Sequence, residues 1–338
     1  MSQYYAPIAY TVTEVEDGWL LKTVLQKRLQ VSRKLLSKIK LTEQGVMLNG
    51  ERVYISVKVS AGDLVEIRME REESDDILPE DIPFAVLYED EHLLIVNKDA
   101  GIIVHPTHGH YTGTLANGVV HYWQQKGQKF RFRPIHRLDQ ETSGVLAIAK
   151  NPYVHQHVSE QMIAGTVDKK YIALVHGSPV PEQGAVDGPI DRDPEEPHRR
   201  IVTPDGYAAR TLYTTLSRWD NGSASAVSLK LESGRTHQIR VHMTSIGCPL
   251  IGDQMYKTLP MHNVDEQTMA VREERDTWIE RQSLHACELI FEHPILRERM
   301  TFQAPLPPDM AALEKRLDTE AAPRVMLQEA EGQTQAEK

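Results

Sequence analysis

The stretch His136-Arg137-Leu138-Asp139-Gln140-Glu141-Thr142-Ser143-Gly144-Val145-Leu146-Ala147-Ile148-Ala149 decides how the rest of the chain is read. A charged, hydrogen-bonding cluster runs straight into a small-residue turn and then into an unbroken apolar run of the kind a buried strand shows. Such an arrangement exposes a carboxylate at the mouth of a rigid sheet, where it can be held against a substrate. Gly144 lets a backbone or a ligand approach closely. Asp139 is therefore the candidate nucleophile. Taken in isolation, His136 to Asp139 would read more simply as a turn in which Asp139 pairs with Arg137, since short motifs are weak evidence.

Outward from this segment, strand-like runs (Leu93 to Val96, Val145 to Ala149, Tyr171 to Val175, Ala226 to Leu231) alternate with helical stretches such as Gly113 to Tyr122. The expected fold class is α+β: a mixed, largely antiparallel sheet with flanking helices over residues 84–310. Residues 15–70 read as a small α/β module with a helical stretch from Leu20 and a second from Ser32, a plausible N-cap. Short β segments follow, turned at Asn49-Gly50 and Ala61-Gly62-Asp63. Between the two units, residues 71–83 gather acids, Pro79 and Pro83, which is linker chemistry. Residues 258–282 are charge-dense and read as a surface excursion with a helix around Ala270 to Ile279. Residues 311–338 turn polar and are expected to be a disordered tail.

At 338 residues the chain is long enough for one sizeable core plus a smaller module. No basic and apolar leader and no run of spanning length is present, so a cytoplasmic protein away from membranes is expected. Two cysteines, Cys248 and Cys287, are too few and too separated for a disulfide framework or a metal knuckle. The formal net charge of -10 argues against a polyanionic partner, yet it hides an asymmetry. From Lys22 to Lys40 there are seven basic side chains and no acid. Arg33, Lys34 and Lys38 recur at helical spacing and would present cations to one phosphate track.

His136 to Gly144 resembles the HRLDxxTSG signature of the RluA/RluD-type pseudouridine synthases, and the likeness extends in order along the chain. Leu87 to Asp90 with Leu94 to Lys98 and Gly101 to Pro106 resembles the opening strand pair; Gly113 to Asn117 resembles the following helix. Lys170 to Val175 is similar to the tyrosine motif and Gly234 to His242 to the arginine motif, followed by Pro249 to Asp253, Leu284 to Ala286 and Phe291 to Pro294. The module at 15–70 resembles an S4 RNA-binding domain, carried by Ser32-Arg33-Lys34 and Gly45 to Gly50, although its opening at Trp19 to Lys22 departs from the commonest pattern.

The resemblance implies an RNA pseudouridine synthase that isomerises uridine in structured RNA, large-subunit ribosomal RNA being the leading candidate and transfer RNA the other. It implies Asp139 as nucleophile, Tyr171 as the active-site tyrosine and Arg240 as the arginine paired with the aspartate. Arg240 is expected to hold Asp139 ionised through a bidentate pair. Tyr171 could act as a general base or stack on the uracil. Arg137 is the residue implied to enter the RNA stack when uridine is flipped out. His136 is expected to contact phosphate or support the loop, Thr142 to contact the RNA, and Arg33, Lys34 and Lys38 to grip it. No metal, organic cofactor or obligate protein partner is implied. Whether Asp139 attacks the sugar, attacks the base or acts in a glycal route stays open. The rival is a catalytically inactive RNA-binding or ribosome-assembly factor, which has no physical need for a buried ionised trio.

Two other chemistries are weaker. His105, His108 and His110 lie among Pro and Gly with no thiolate or carboxylate spaced with them, so a metal site is not expected. Asp139 and Glu141 would sit only about 6 to 7 Å apart in extended chain, which does not by itself make a glycosidase pair.

Overall fold

The computed structural model describes residues 3–257 and 264–320 and the backbone of residues 325–326. The first unit comprises β1 (Ile8–Thr11), α1 (Leu21–Lys27), α2 (Arg33–Ile39), β2 (Val46–Leu48), β3 (Glu51–Arg52) and β4 (Leu64–Ile67), with sheet order β1-β4-β2-β3. The Ser32 side chain accepts from the Leu35 N–H and starts α2. Asn49 and Gly50, at φ of 52° and 83°, make a two-residue turn that sets Leu48 opposite Glu51. The unit begins earlier than the expected residue 15. Ile8 to Thr11 pairs antiparallel with Leu64 to Ile67, and a four-residue strand with one buried position is too short to stand out in sequence.

The larger sheet contains β5 (Ala85–Glu89), β6 (Leu93–Lys98), β7 (Ser143–Ala149), β8 (Asp168–His176), β9 (Gln183–Asp187), β12 (Arg210–Trp219), β13 (Ala224–Leu231), β14 (Leu284–Glu292) and β15 (Arg299–Gln303); β10 (Ile190–Arg192) and β11 (Arg200–Val202) form a separate ribbon. The order runs β12-β13-β8-β14-β7-β6-β5, with β9 on β12 and β15 on β14. Its helices are α3 (Leu115–Gln125), α4 (Pro152–Ile163), α5 (Gln238–Ser245), α6 (Glu266–Asp276) and α7 (Pro308–Glu320). Pairing is antiparallel except between β7 and β14, which run parallel where His285 meets Ser143 and Ala286 meets Gly144.

The unbroken apolar runs of β6 and β7 follow from burial on both faces. Leu93, Ile95, Val145, Ala147 and Ala149 face one core, shared with Tyr153, Val154 and Val158 of α4. Leu94, Val96, Leu146 and Ile148 face the other, under Leu115, Val119 and Trp123 of α3.

The small unit joins the first of these cores: Leu29, Val31, Leu35 and Ile39 belong to the same cluster. Its α1–α2 turn is bonded to α4, Tyr153 Oη donating to Leu29 O at 2.8 Å, Gln156 Nε2 to Gln30 O at 2.8 Å and Ser32 N to Gln156 Oε1 at 3.0 Å. Residues 71–83 are correspondingly a fastened strap rather than a free linker. Glu72 pairs with Arg133 at 2.5 Å, Ser74 Oγ accepts from Phe132 N at 2.8 Å, Ile77 is buried, and Asn117 Nδ2 donates to Leu78 O at 2.7 Å. Glu72 and Glu73, two of the acids that read as linker chemistry, pair with Arg133 and Lys129 of the large domain.

Two other expectations change. The tail expected from residue 311 begins instead with α7, whose Met310, Leu313 and Leu317 are buried at helical spacing against Trp219 and Ile279. An apolar stripe of three in a charged sequence is easily read as tail. The end of the chain, Gln333 to Lys338, lies outside the described residues. Of 258–282, residues 258–263 lie outside them too; the helix is Glu266–Asp276, and the stretch then turns inward, burying Ile279, Arg281 and Gln282. Among the described residues no helix is long and apolar enough to cross a membrane.

Candidate active site

Asp139 sits on the loop that enters β7, and the backbone of that loop is held at consecutive carbonyls. Asp139 O accepts from Thr142 N at 3.1 Å; Gln140 O accepts from Gly101 N at 3.0 Å and from Lys98 Nζ at 2.8 Å; Glu141 O accepts from Arg281 Nη1 at 3.0 Å. With the main chain so fixed, the Asp139 carboxylate is left partly exposed at the rim of the sheet. Lys98 is wholly buried and also donates to Asp99 O and Ile102 O, and burial brings its ammonium down to about 7. Gly144 follows at φ +119°, and a Cβ there would lie 2.2 Å from Ala286 O, so the β7–β14 seam closes only over glycine.

The arginine motif divides into anchors and site residues according to its spacing on α5. Gln238 and His242, one turn apart, are buried and tie the helix to β12 and the β9–β10 turn: Gln238 Nε2 donates to Arg210 O and Thr211 Oγ1 at 3.0 Å, while the His242 ring lies 2.8 Å from Thr211 Oγ1 and from Gly188 O. Arg240, between them in sequence, points the opposite way. Its Nη1 lies 3.5 Å from Asp139 Oδ2. The bidentate fork, however, is made to Asp253, Nε to Oδ2 at 2.6 Å and Nη2 to Oδ1 at 2.8 Å. The expected bidentate pair with Asp139 is thus corrected: Asp253, 1% exposed, takes the fork and orients the guanidinium, and Asp139 receives the third nitrogen. Asp253 is itself held by the N–H groups of Met255 and Tyr256.

Tyr171, on β8, is buried within reach of Asp139's charge. Burial first, then Asp139 and Cys287, push its phenol well above the usual range. Arg137 is exposed and makes no hydrogen bond or ion pair with the described residues. His136 and Thr142 lie beneath the loop rather than on its surface. His136 Nε2 accepts from Ala147 N at 3.3 Å, and burial lowers the imidazole to about 3. Thr142 is 2% exposed and near Gln282 Nε2 at 3.4 Å. Both side chains are engaged within the protein, with β7 and with Gln282. Arg33, Lys34 and Lys38 are exposed on α2, outside the cluster around Asp139.

Sequence reading did not single out Lys98, His237, Asp253, Tyr256 and Arg281. Lys98 and Asp253 close motifs already quoted, so each had a signal. Arg281 had none, lying in the stretch read as a surface excursion; it is buried against Asp309 of α7 at 2.6 Å.

The family model for RNA pseudouridylate synthase matches residues 92–245. The chain is 39% identical over 289 residues to the uncharacterized RNA pseudouridine synthase YjbO of Bacillus subtilis (strain 168), covering 85% of this chain and 95% of that one. The chain belongs to the RNA pseudouridine synthase family. The synthase is also 35% identical to ribosomal large subunit pseudouridine synthase D of Zymomonas mobilis, over 91% of this chain and 96% of the relative. Among solved structures it is similar to Human RNA Pseudouridylate Synthase Domain Containing 4, at 26% identity and a TM-score of 0.55, covering 69% of the synthase and 92% of that chain. The synthase is accordingly an RNA-modifying isomerase of the RluA/RluD type. Among its described residues no three His, Cys, Asp or Glu side chains gather as metal ligands would.

Proposed function

We propose that the chain converts uridine to pseudouridine at specific positions of large-subunit ribosomal RNA, with Asp139 as the nucleophile on a uridine flipped out of its stack. The observation that carries this reading is a partly exposed carboxylate on a loop whose three consecutive carbonyls are fixed, with a fork-oriented guanidinium behind it. The ribosomal assignment is supported by relatives named as large-subunit enzymes, of which that from Zymomonas mobilis covers nearly the whole chain.

The reaction breaks the bond from C1′ to N1, rotates the uracil and joins C1′ to C5; the C5 proton leaves and N1 gains one, so atoms balance without a co-reactant. Asp139 engages the nucleotide and carries it through the interval in which the base is detached. Arg240 keeps a positive charge beside Oδ2, so the carboxylate is directed by a group that cannot itself give up a proton. Tyr171, protonated and buried, forms the wall against which the uracil plane rests. Arg137, exposed and without a partner among the described residues, fills the gap left in the RNA. The small unit serves as an S4-like clamp, its Arg33, Lys34 and Lys38 lying along the phosphate track.

The test is pseudouridine mapping of total RNA from cells carrying the intact chain, a deletion, or Asp139→Asn. Loss of the same one or few large-subunit sites in both altered strains is expected. Sites lost from transfer RNA instead would overturn the substrate, and sites retained with Asp139→Asn would overturn the nucleophile.

A further inference from the structure

Arg240 is not the only nitrogen aimed at Asp139. His237 Nε2 lies 3.9 Å from Asp139 Oδ2, the same oxygen that faces Arg240 Nη1. Both gaps exceed a hydrogen bond, as catalytic contacts commonly do before substrate closes the site. His237 is the N-cap of α5, yet its side chain caps nothing, and its backbone is left-handed at φ 56° and ψ 18°. A non-glycine residue is held there only where the surroundings require it, and such strain clusters at functional sites. Here the αL turn swings the imidazole off the helix and towards the Asp139 loop.

The ring's other nitrogen settles its protonation. His237 Nδ1 lies 3.0 Å from Tyr256 Oη. Tyr256 is fully buried, and its oxygen already accepts from Arg200 N at 2.9 Å. Its single proton therefore needs an acceptor, and His237 Nδ1 is the one within reach among the described residues. A neutral imidazole that accepts at Nδ1 carries its proton on Nε2, facing Asp139. Burial first holds the ring below its usual basicity, against the opposing pull of Asp139. Tyr256 also lies against Arg240, whose guanidinium carbon is 4.9 Å from the ring centre, so one side chain braces both nitrogens that address Oδ2.

We propose that His237 is a positioning residue for the isomerisation: fixed by Tyr256 with its proton on Nε2, it is the second donor to Asp139 Oδ2, so that Oδ1 is the oxygen presented to the uridine. This rests on the assignment of Asp139 above. A carboxylate held at one oxygen by a single charge can pivot about it. Two donors from different directions fix its plane, and an orientation error of the kind they prevent costs rate rather than affinity.

The experiment combines kinetics with an imidazole signature. Release of tritium from C5 of uridine is followed on total RNA from a strain lacking the chain, with the purified full chain and its variants. Nitrogen-15 NMR of histidine-labelled protein reads which ring nitrogen of His237 is protonated. His237→Ala is expected to lower kcat on the order of 10 to 100-fold with KM little changed. His237→Gln, whose amide N–H reaches the place of Nε2–H, is expected to recover much of that loss. Wild type is expected to show the proton on Nε2, and Tyr256→Phe, which removes only the hydroxyl, a mixture of tautomers with reduced kcat. A wild-type proton on Nδ1, or an undiminished kcat in His237→Ala, would overturn the proposal; both readouts stand even if Tyr256→Phe fails to fold. Asp139→Asn in the same assay separates the two claims, because turnover there would sink the nucleophile itself, whereas an inactive Asp139→Asn beside a fully active His237→Ala sinks only the role of His237.

Discussion

Asp253 shows how one carboxylate can matter more to a site than its distance from the chemistry suggests. It takes both arms of the Arg240 fork and is closed off from solvent, so Asp253→Ala would leave a buried guanidinium without its partner. Breaking a buried pair in this way costs about 3 to 5 kcal/mol. Urea denaturation is expected to show a loss of that size in Asp253→Ala together with a large fall in kcat; an unchanged midpoint would mean that Arg240 has another partner. Arg240→Lys should fail as well, because one ammonium cannot serve two carboxylates in the geometry of a planar fork. The sequence made Arg240 and Asp139 legible as a pair, but not the allocation of the fork. Asp139 lies far from Arg240 along the chain and Asp253 only 13 residues on, and it is the fold that decides which one sits edge-on to it. His136 and Thr142 show the same limit: a motif quotes their polarity, but only the fold supplies their partners, Ala147 N of β7 for the His136 ring and the Gln282 amide for Thr142.

At the scale of elements, the site is a seam between β7 and β14 with supports from either side. Gly144 at φ +119° has no room for a side chain, so Gly144→Ala is expected to destabilise the fold by at least about 2 kcal/mol. Arg281 ties the Asp139 loop to Asp309 at the start of α7, donating to Glu141 O, Gln282 O and Leu284 O as well. Removal of α7 from residue 308 onward should therefore abolish tritium release, not merely lower stability. The milder Leu313→Ala, which empties part of the buried stripe of α7, should cost about 2 to 5 kcal/mol by urea denaturation while leaving Arg281 in place. Of this seam, β7 was readable from its apolar run and from Gly144, whereas β14, where Glu288 and the half-buried Cys287 interrupt the apolar positions, did not stand out as a strand. The helix was not readable either, because three buried residues on one face of a polar segment give a weak periodic signal until Trp219 and Ile279 are seen against them.

Over the whole molecule, the two units that composition separates share one core, in which Leu29 and Val31 lie with Tyr153 and Val154. A single unfolding transition in calorimetry is expected, and two resolved transitions would contradict the shared core. Acid should weaken the large unit through Glu89, which bridges Lys126 at 2.6 Å and Lys150 at 2.7 Å. Burial pushes its carboxyl up, but the hydrogen bonds from Lys126, Lys150 and Tyr122 outweigh that and hold it at about 2 against an ordinary 4.5. A folded value below the unfolded one contributes stability that is complete above about pH 4.5 and is lost as pH falls towards 2. The urea midpoint of Glu89→Gln should accordingly change less over that window than that of the intact chain. On the RNA side, replacing Arg33, Lys34 and Lys38 together by Gln should weaken binding evenly across sequences and flatten the salt slope by roughly 2 to 3, the equivalent of three phosphate contacts. This basic stretch stands out despite the acidic total because no acid interrupts the seven cations from Lys22 to Lys40. The fastening of residues 71–83 was not legible, since Arg133 and Lys129, the partners of Glu72 and Glu73, lie some sixty positions away.

The most direct test of the central claim is release of tritium from C5 of uridine by the purified chain on total RNA from a strain that lacks it, compared with Asp139→Asn. The intact chain should release tritium in step with pseudouridine formation, while Asp139→Asn, folded to the same urea midpoint, should bind the RNA and release none. Turnover by Asp139→Asn would contradict the assignment of Asp139 as the nucleophile.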